Sequence, residues 1–426
     1  MDVCVVGAGY TGLWTAYHLL ERDPALSVLV VEAERVGFGA SGRNGGWCST
    51  LLPQSAAALT AEHGPAAARA LRAAMRGTLD EVERFVRAED VDCHFARGGT
   101  VVVARNPAQL ARATAEVAAD ERAGGPERLR LLDAQRTREV VGVTRALGAT
   151  YTPDCARVHP LRLVRGLARA VERRGGRVVE GTRALGLRPR RVDTDRGRVR
   201  ARHVVRATEA WTERFSRREV VPVYSLVVAT EPLPAAFWAH AGLARAETFS
   251  DHRHVVVYGQ RTADDRLVFG GRGAPYHLGS AVRPEFDREE RVFRALRETV
   301  RDMFPLLAGA RFTHAWGGPL GIARDWHAAV RYDPATGLGS AGGYVGDGVG
   351  ASNLAGRTLA DAITGTDSEL LRLPWFGHVP PRWEPEPLRW AAVTAGLRLA
   401  GAADTAESVL GRRTPLSGLL GRLTGH

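Results

Sequence analysis

With 426 residues, 45% of them hydrophobic and 25% charged, the chain has the composition of a globular protein large enough for more than one domain. Its net charge is +11, yet the 58 basic residues, every one an arginine, are interleaved with 47 acids and no nucleic-acid-reading motif accompanies them, so no nucleic-acid partner is expected. The lack of lysine rules out Schiff-base chemistry on this chain, and four scattered cysteines, without paired spacing or histidine partners, suggest neither a disulfide framework nor a zinc site.

Val3 to Val6 read as a short buried strand that stops at Gly7. Gly7, Gly9 and Gly12 follow the G-x-G-x-x-G spacing: a tight turn, a close backbone approach to a pyrophosphate, and close helix–strand packing. Tyr10 and Thr11 open the next helix, whose free N–H groups and positive dipole end suit a phosphate pair. Leu13, Ala16, Tyr17 and Leu20 form its apolar face. Val28 to Val31 are a second strand, buried on both faces. Glu32 and Ala33 end it, and Glu32 lies twenty residues after Gly12, where a carboxylate accepts hydrogen bonds from an adenosine ribose and repels a 2′-phosphate. Strand, helix, strand and terminal carboxylate together predict a dinucleotide site.

Gly37, Gly39, Ala40, Ser41, Gly42, Gly45 and Gly46 then leave backbone open around Arg43 and Asn44, suited to wrapping a long ligand. The run Gly39-Ala-Ser-Gly-Arg-Asn-Gly-Gly46 resembles the D-amino-acid-oxidase-like superfamily of FAD-dependent amine oxidoreductases, in the branch that includes gamma-glutamylputrescine oxidoreductases. The resemblance implies FAD, with Ser41, Arg43 and Asn44 on its pyrophosphate and ribityl oxygens and Gly45-Gly46 beside the isoalloxazine ring.

Residues 56 to 90 read as a helix with Leu71, Met75, Leu79 and Val82 on one face, and Thr100 to Ala104 as a strand. Pro107 to Asp120 read as a surface helix ended by Gly124-Gly125, and Asp133 caps another through Val141. Pro160 suits the first position of a helix, so His159 belongs to a helix start rather than to acid–base chemistry. Arg177 to Glu180 form a strand, and 188–206 a hairpin around Asp195-Arg196-Gly197. By resemblance, Ala184 meets the adenine end through its backbone, and the strand from His203 returns to the cofactor at Ala207 and Thr208. Glu209 stands where many relatives carry glycine.

From Val221 the chain turns strand-rich, at Val221–Thr230, His254–Gln260 and Arg266–Gly271, and resembles the family's antiparallel substrate domain. Tyr258 and Arg272 would face the flavin, Arg272 being able to clamp a carboxylate bidentately. Arg288 to Met303 form a helix with Val292, Leu296 and Val300 inward. Trp316 is expected in the pocket wall. Asp325 is followed by Trp326-His327 where many relatives have Leu-Pro. By resemblance Gly343, Gly346, Gly348, Val349 and Gly350 lie against the flavin, while Asp347, whose charge would oppose reduction, is expected to turn away. Beyond Leu373 come a proline-rich strap, a helix striped by Trp390, Val393, Thr394 and Leu397, and a basic segment from Arg412 to Arg422 with Leu416, Leu419 and Leu420, expected to dock on its own domain or a second subunit, with contact to a membrane surface the lesser alternative.

The expected fold is α/β. A Rossmann-like FAD-binding domain (1–60, 145–215 and 312–372) interleaves with an α+β, antiparallel-sheet substrate domain (61–144 and 216–311), followed by a C-terminal helical extension (373–426). The resemblance implies hydride transfer from the carbon beside the nitrogen of a small amine or amino acid to non-covalently bound FAD, the imine then being hydrolysed. Covalent attachment through Cys48 is the lesser alternative. Electrons pass to oxygen or another acceptor, without the lysine that sarcosine-oxidase-like relatives place over the flavin, and no essential base is named. A flavin-dependent 2-hydroxy-acid dehydrogenase, an FAD-binding protein without amine turnover, and a homo-oligomer all stay open. No apolar run reaches membrane-spanning length and Met1 leads directly into the first strand, so a cytoplasmic enzyme is expected.

Overall fold

The protein, a computed structural model, is described over residues 1–124 and 128–415. Gly125 and the leucines at 416, 419 and 420 lie outside the described residues, as does most of the basic segment.

The first strand, Val3–Val6, sits inside a six-stranded sheet, between Val28–Val31 and His203–Arg206 and parallel to both. Alternate side chains of a strand face opposite ways, and here both ways are covered. Val3 and Val5 join the core beneath the helices Tyr10–Arg22, Pro160–Arg173 and Gly348–Thr364. Cys4 and Val6 pack instead with Val192 and Ala201, beneath a three-stranded antiparallel sheet that contains the expected hairpin. This double burial explains the unbroken apolar run. His159 caps its helix by accepting the Arg162 N–H at 3.4 Å.

A second, eight-stranded sheet carries its own core, in which Tyr224, Leu226 and Phe269 meet Val292, Leu296 and Val300 of the Glu290–Met303 helix. Its neighbours are antiparallel except Thr248–Asp251 with Thr100–Ala104. Sheet membership departs from the expected boundaries. Phe312–Ala323 pairs with Val220–Thr230 along the whole strand, and Gly148–Thr152 pairs with Thr100–Ala104, so both stand in the large sheet. Conversely, Leu71, Met75 and Leu79 of the Ala56–Ala88 run are buried in the core of the first sheet. That run bends at Gly64 (φ +79°), because Pro65 disfavours helical backbone in the residue before it.

After the prolines, the Leu388–Leu410 helix lies against the large sheet. Its buried residues are Arg389, Ala403 and Glu407; of the expected stripe, Val393, Thr394 and Leu397 are half-buried, Val393 packing against the Ile322 and Trp383 cluster, whereas Trp390 is 41% exposed and falls outside it. Asp404 accepts the backbone N–H groups of His254 (2.7 Å) and Val255 (2.9 Å), and Glu407 ion-pairs with Arg112 at 2.7 Å. No helix among the described residues is long and apolar enough to cross a membrane.

Candidate active site

Two clefts of about 240 and 400 Å³ share Ala40 and Arg43, forming one bent trough between the sheets. The smaller arm runs over the carboxyl ends of the first strands, where open α/β sheets bind ligands. Gly7, Gly9, Glu32, Ala33, Ser41, Ala184, Ala207 and Thr208 line it. A Cβ on Gly7 (φ +109°) would meet the Ala207 carbonyl oxygen at 2.4 Å, so the turn demands glycine. Gly12, Tyr10 and Thr11 stand behind this wall. A Cβ on Gly12 would lie 2.0 Å from the Gly7 carbonyl oxygen, and Tyr10 is buried with its hydroxyl donating to Pro160 O at 2.8 Å. The Tyr10 N–H donates to Ser41 Oγ at 2.9 Å, which draws the glycine loop over the helix start.

Glu32 accepts the Ala8 N–H at 2.8 Å and the Glu34 N–H at 3.0 Å. Burial nevertheless raises its pKa, and each carboxylate oxygen keeps a lone pair for a ribose hydroxyl. Glu209 also lines this arm and is held toward it by the Gly321 N–H at 2.6 Å, and burial lifts its pKa to about 7.

At the bend, Arg43 ion-pairs with Asp287 and donates to Gly317 O at 3.1 Å. The Asn44 amide is engaged inside its own loop, accepting the Gly46 N–H at 2.8 Å and donating to Ala40 O and Ser41 O. These bonds shape the loop, and Asn44 also lines the larger chamber. Gly45 passes over the Tyr258 ring, where a Cβ would come within 2.4 Å of Cε2. Gly46 plays a different part from the one expected: it takes φ +75° and is crowded by Gln260 and Val158, away from the cleft lining.

The larger chamber is walled by Trp47, Tyr258 and Trp326, with Leu51 and Leu52 at one side. The Tyr258 hydroxyl lies 2.8 Å from Ser225 Oγ. Arg272 lines the chamber and donates to Val345 O, which leaves other guanidinium donors for an anionic group. Asp347 lines it too, against the expectation that it turns away. Ser49 Oγ donates to its carboxylate at 3.2 Å, and Arg272 attracts it, but desolvation prevails and lifts its pKa to about 6.

Trp316 is absent from the lining. Its Nε1 donates to Arg43 O at 2.8 Å, so it braces the glycine loop from behind. Of the late glycines, Gly346 lines the chamber with Val349, whereas Gly343, Gly348 and Gly350 do not. A Cβ on Gly350 would meet Ser49 O at 2.3 Å, which makes its role helix–strand packing. Cys48 is fully buried and its thiol pKa is pushed upward by desolvation, which argues against covalent attachment there. Ser225 and Leu51 escaped the sequence reading because their place depends on distant partners, whereas Trp326, marked in the sequence only as a departure from relatives, is part of the chamber wall.

A glycine turn, a buried carboxylate closing the second strand and a bent trough leading to an aromatic chamber define a dinucleotide-dependent oxidoreductase. Residues 2–362 match the family model described as DAO, FAD dependent oxidoreductase. The gamma-glutamylputrescine oxidoreductase of Escherichia coli (strain K12) is 34% identical over 387 residues, covering 89% of this chain and 86% of that protein. The solved glycine oxidase from Geobacillus kaustophilus shares the fold with a TM-score of 0.74 at 20% identity, covering 89% of this chain and 99% of that one. The L-proline dehydrogenase from P. horikoshii does so with a TM-score of 0.71 at 18% identity, covering 87% and 94%. The chain belongs to the DAO family of FAD-dependent oxidoreductases. The trough fits that cofactor: the narrow arm offers the turn and Glu32 to the adenosine half, and the chamber behind Gly45 is wide and aromatic enough for a ring system.

Proposed function

We propose that this enzyme oxidises the C–N bond of a small amine or amino acid, taking a hydride from the carbon beside nitrogen. The observation that carries this reading is that Arg272 and Asp347, of opposite charge, line the aromatic chamber that adjoins the cofactor arm. Arg272 is suited to a substrate carboxylate, and ionised Asp347 to an ammonium group, so the pair fits a molecule bearing both. FAD, when bound without a covalent bond, supplies the hydride acceptor.

The chain's own residues contribute placement. Tyr258, fixed by Ser225 and sandwiched by Gly45 and Gly270, is a rigid wall that holds the substrate's C–H at a set height. Trp326, Leu51 and Leu52 give the same space an apolar lining. Water then hydrolyses the released imine. With no lysine in the chain, electrons leave to oxygen without lysine assistance or to another acceptor. Four buried free thiols are in keeping with a cytoplasmic setting.

Anaerobic titration of the purified yellow protein with amines, amino acids and 2-hydroxy acids tests the reading. Bleaching by amino compounds, with aldehyde or keto product on readmission of an acceptor, is expected. Bleaching by 2-hydroxy acids alone would replace it with hydroxy-acid dehydrogenation, and resistance to every compound would leave a flavin-binding protein without amine turnover.

A further inference from the structure

Away from the trough, three side chains converge where the leading helix segment meets a loop of the substrate chamber. Glu62 and His63 stand at the end of that segment, just before the bend at Gly64-Pro65. His327 lies on the link between the Phe312–Ala323 and Ala329–Asp333 strands and is 2% exposed. Its Nδ1 is 3.0 Å from the Ala328 carbonyl, which can only accept, so Nδ1 carries the hydrogen and Nε2 presents a lone pair. A backbone carbonyl on one ring nitrogen is the usual device for orienting a metal-ligating histidine.

That Nε2 faces His63 Nε2 at 3.0 Å, and Glu62 Oε1 lies 3.6 Å from His63 Nε2. All three ligand atoms fall within 4.8 Å of one another. A tetrahedral ion with bonds of about 2.0–2.1 Å spaces its ligands roughly 3.4 Å apart, so these separations bracket the required edge. Asp325 steadies the loop from the other side, accepting the His327 N–H at 3.0 Å and pairing with His378 at 2.7 Å.

We propose that Glu62, His63 and His327 form a binding site for a divalent transition cation of borderline softness, clasping the leading helix segment to the loop that carries Trp326. Two imidazoles and one carboxylate suit Zn²⁺ and its neighbours rather than Mg²⁺ or Ca²⁺. The exposed side of Glu62 leaves the fourth position to water.

The test is calorimetric titration of tag-free, flavin-loaded enzyme with ZnCl₂, with metal content measured after gel filtration. One retained equivalent is expected in the wild type. His63→Ala and Glu62→Gln should each weaken binding by at least about tenfold, the scale on which metal-site contacts act. His94→Ala, a histidine beside Asp92 and outside the cluster, should leave binding unchanged. Glu62 is half exposed, so Glu62→Gln decides the matter even if His63→Ala folds poorly. Absence of a retained equivalent in the wild type, or wild-type affinity in Glu62→Gln, would overturn the site and leave a plain histidine–histidine hydrogen bond.

Discussion

Asp347→Asn should make the enzyme more stable at pH 8, about half as much so at pH 5, and leave it nearly unchanged below about pH 4. Burial lifts the Asp347 carboxyl from 3.8 to about 6 in spite of Arg272. A carboxyl raised on folding contributes stability that is full below its unfolded pKa and lost as pH rises through the folded one. The window is therefore about pH 4 to 6. A shift of about two units at 1.36 kcal/mol each sets a ceiling of ~3 kcal/mol on the cost of ionising the group. The carboxyl lines an open trough, so water reduces the effect below that ceiling. Asparagine imitates the protonated acid in shape and charge, and protonated Asp347 also leaves Arg272 without a counter-charge, so the two proteins should match at low pH. Urea unfolding at several pH values, with FAD fixed and saturating in every sample, reads the difference. A gain of the same size at pH 5 and pH 8 would refute the reasoning. A loss that grows with pH would show that attraction to Arg272 outweighs desolvation.

Gly12→Ala forces a Cβ against the Gly7 carbonyl oxygen, a backbone atom with no rotamer to yield. A penalty of about 3 kcal/mol, the upper end for overpacking, and a low flavin-to-protein absorbance ratio are expected, and full flavin content with an unshifted Tm would contradict this. Trp316→Phe removes the bond to Arg43 O, about 1 kcal/mol, and should weaken FAD binding severalfold while KM stays constant; a change in KM alone would return Trp316 to the pocket wall. Glu209, with its pKa near 7 on the cofactor arm, should make FAD affinity fall as pH rises from 6 to 8, since its ionised form repels pyrophosphate. Equilibrium dialysis should show a flat profile for Glu209→Gln, and a sloping one would assign the titration elsewhere. Asp404→Ala strands two backbone N–H groups at about 1–3 kcal/mol and should speed limited proteolysis ahead of the C-terminal helix; unchanged resistance would show that other contacts anchor it.

The sequence was most legible where a local rule had a single physical solution. The turn at Gly7, the close packing at Gly12 and the carboxylate at Glu32 follow from spacing within one strand–helix–strand unit. Gly45 and Gly46 look alike on paper, yet one lies over Tyr258 and the other is trapped between Gln260 and Val158, partners more than 100 residues away. The last helix was only partly legible, for another reason. It buries Arg389 and Glu407, whose charges are matched by Glu213, Glu386 and Arg112, and an apolar pattern has no means of finding a face made of ion pairs. Asp347 was expected to avoid the chamber because its own charge was weighed and that of Arg272 was not. The strand at 312–323 was assigned to the cofactor half because its glycines lie near the ring, while its hydrogen bonds belong to the large sheet.

The long Val220–Thr230 strand bears on how a substrate gets in. It is zipped to Phe312–Ala323 over its full length, and just before it Glu219 bridges Arg206 and Arg331 of the six-stranded sheet. A hinge between the two halves would have to tear that splice and strand a buried carboxylate between separated cations. The segment at Leu51–Pro53 borders the chamber, with Leu51 40% exposed, so the chamber meets solvent along this edge while the frame of paired strands holds its two sides together.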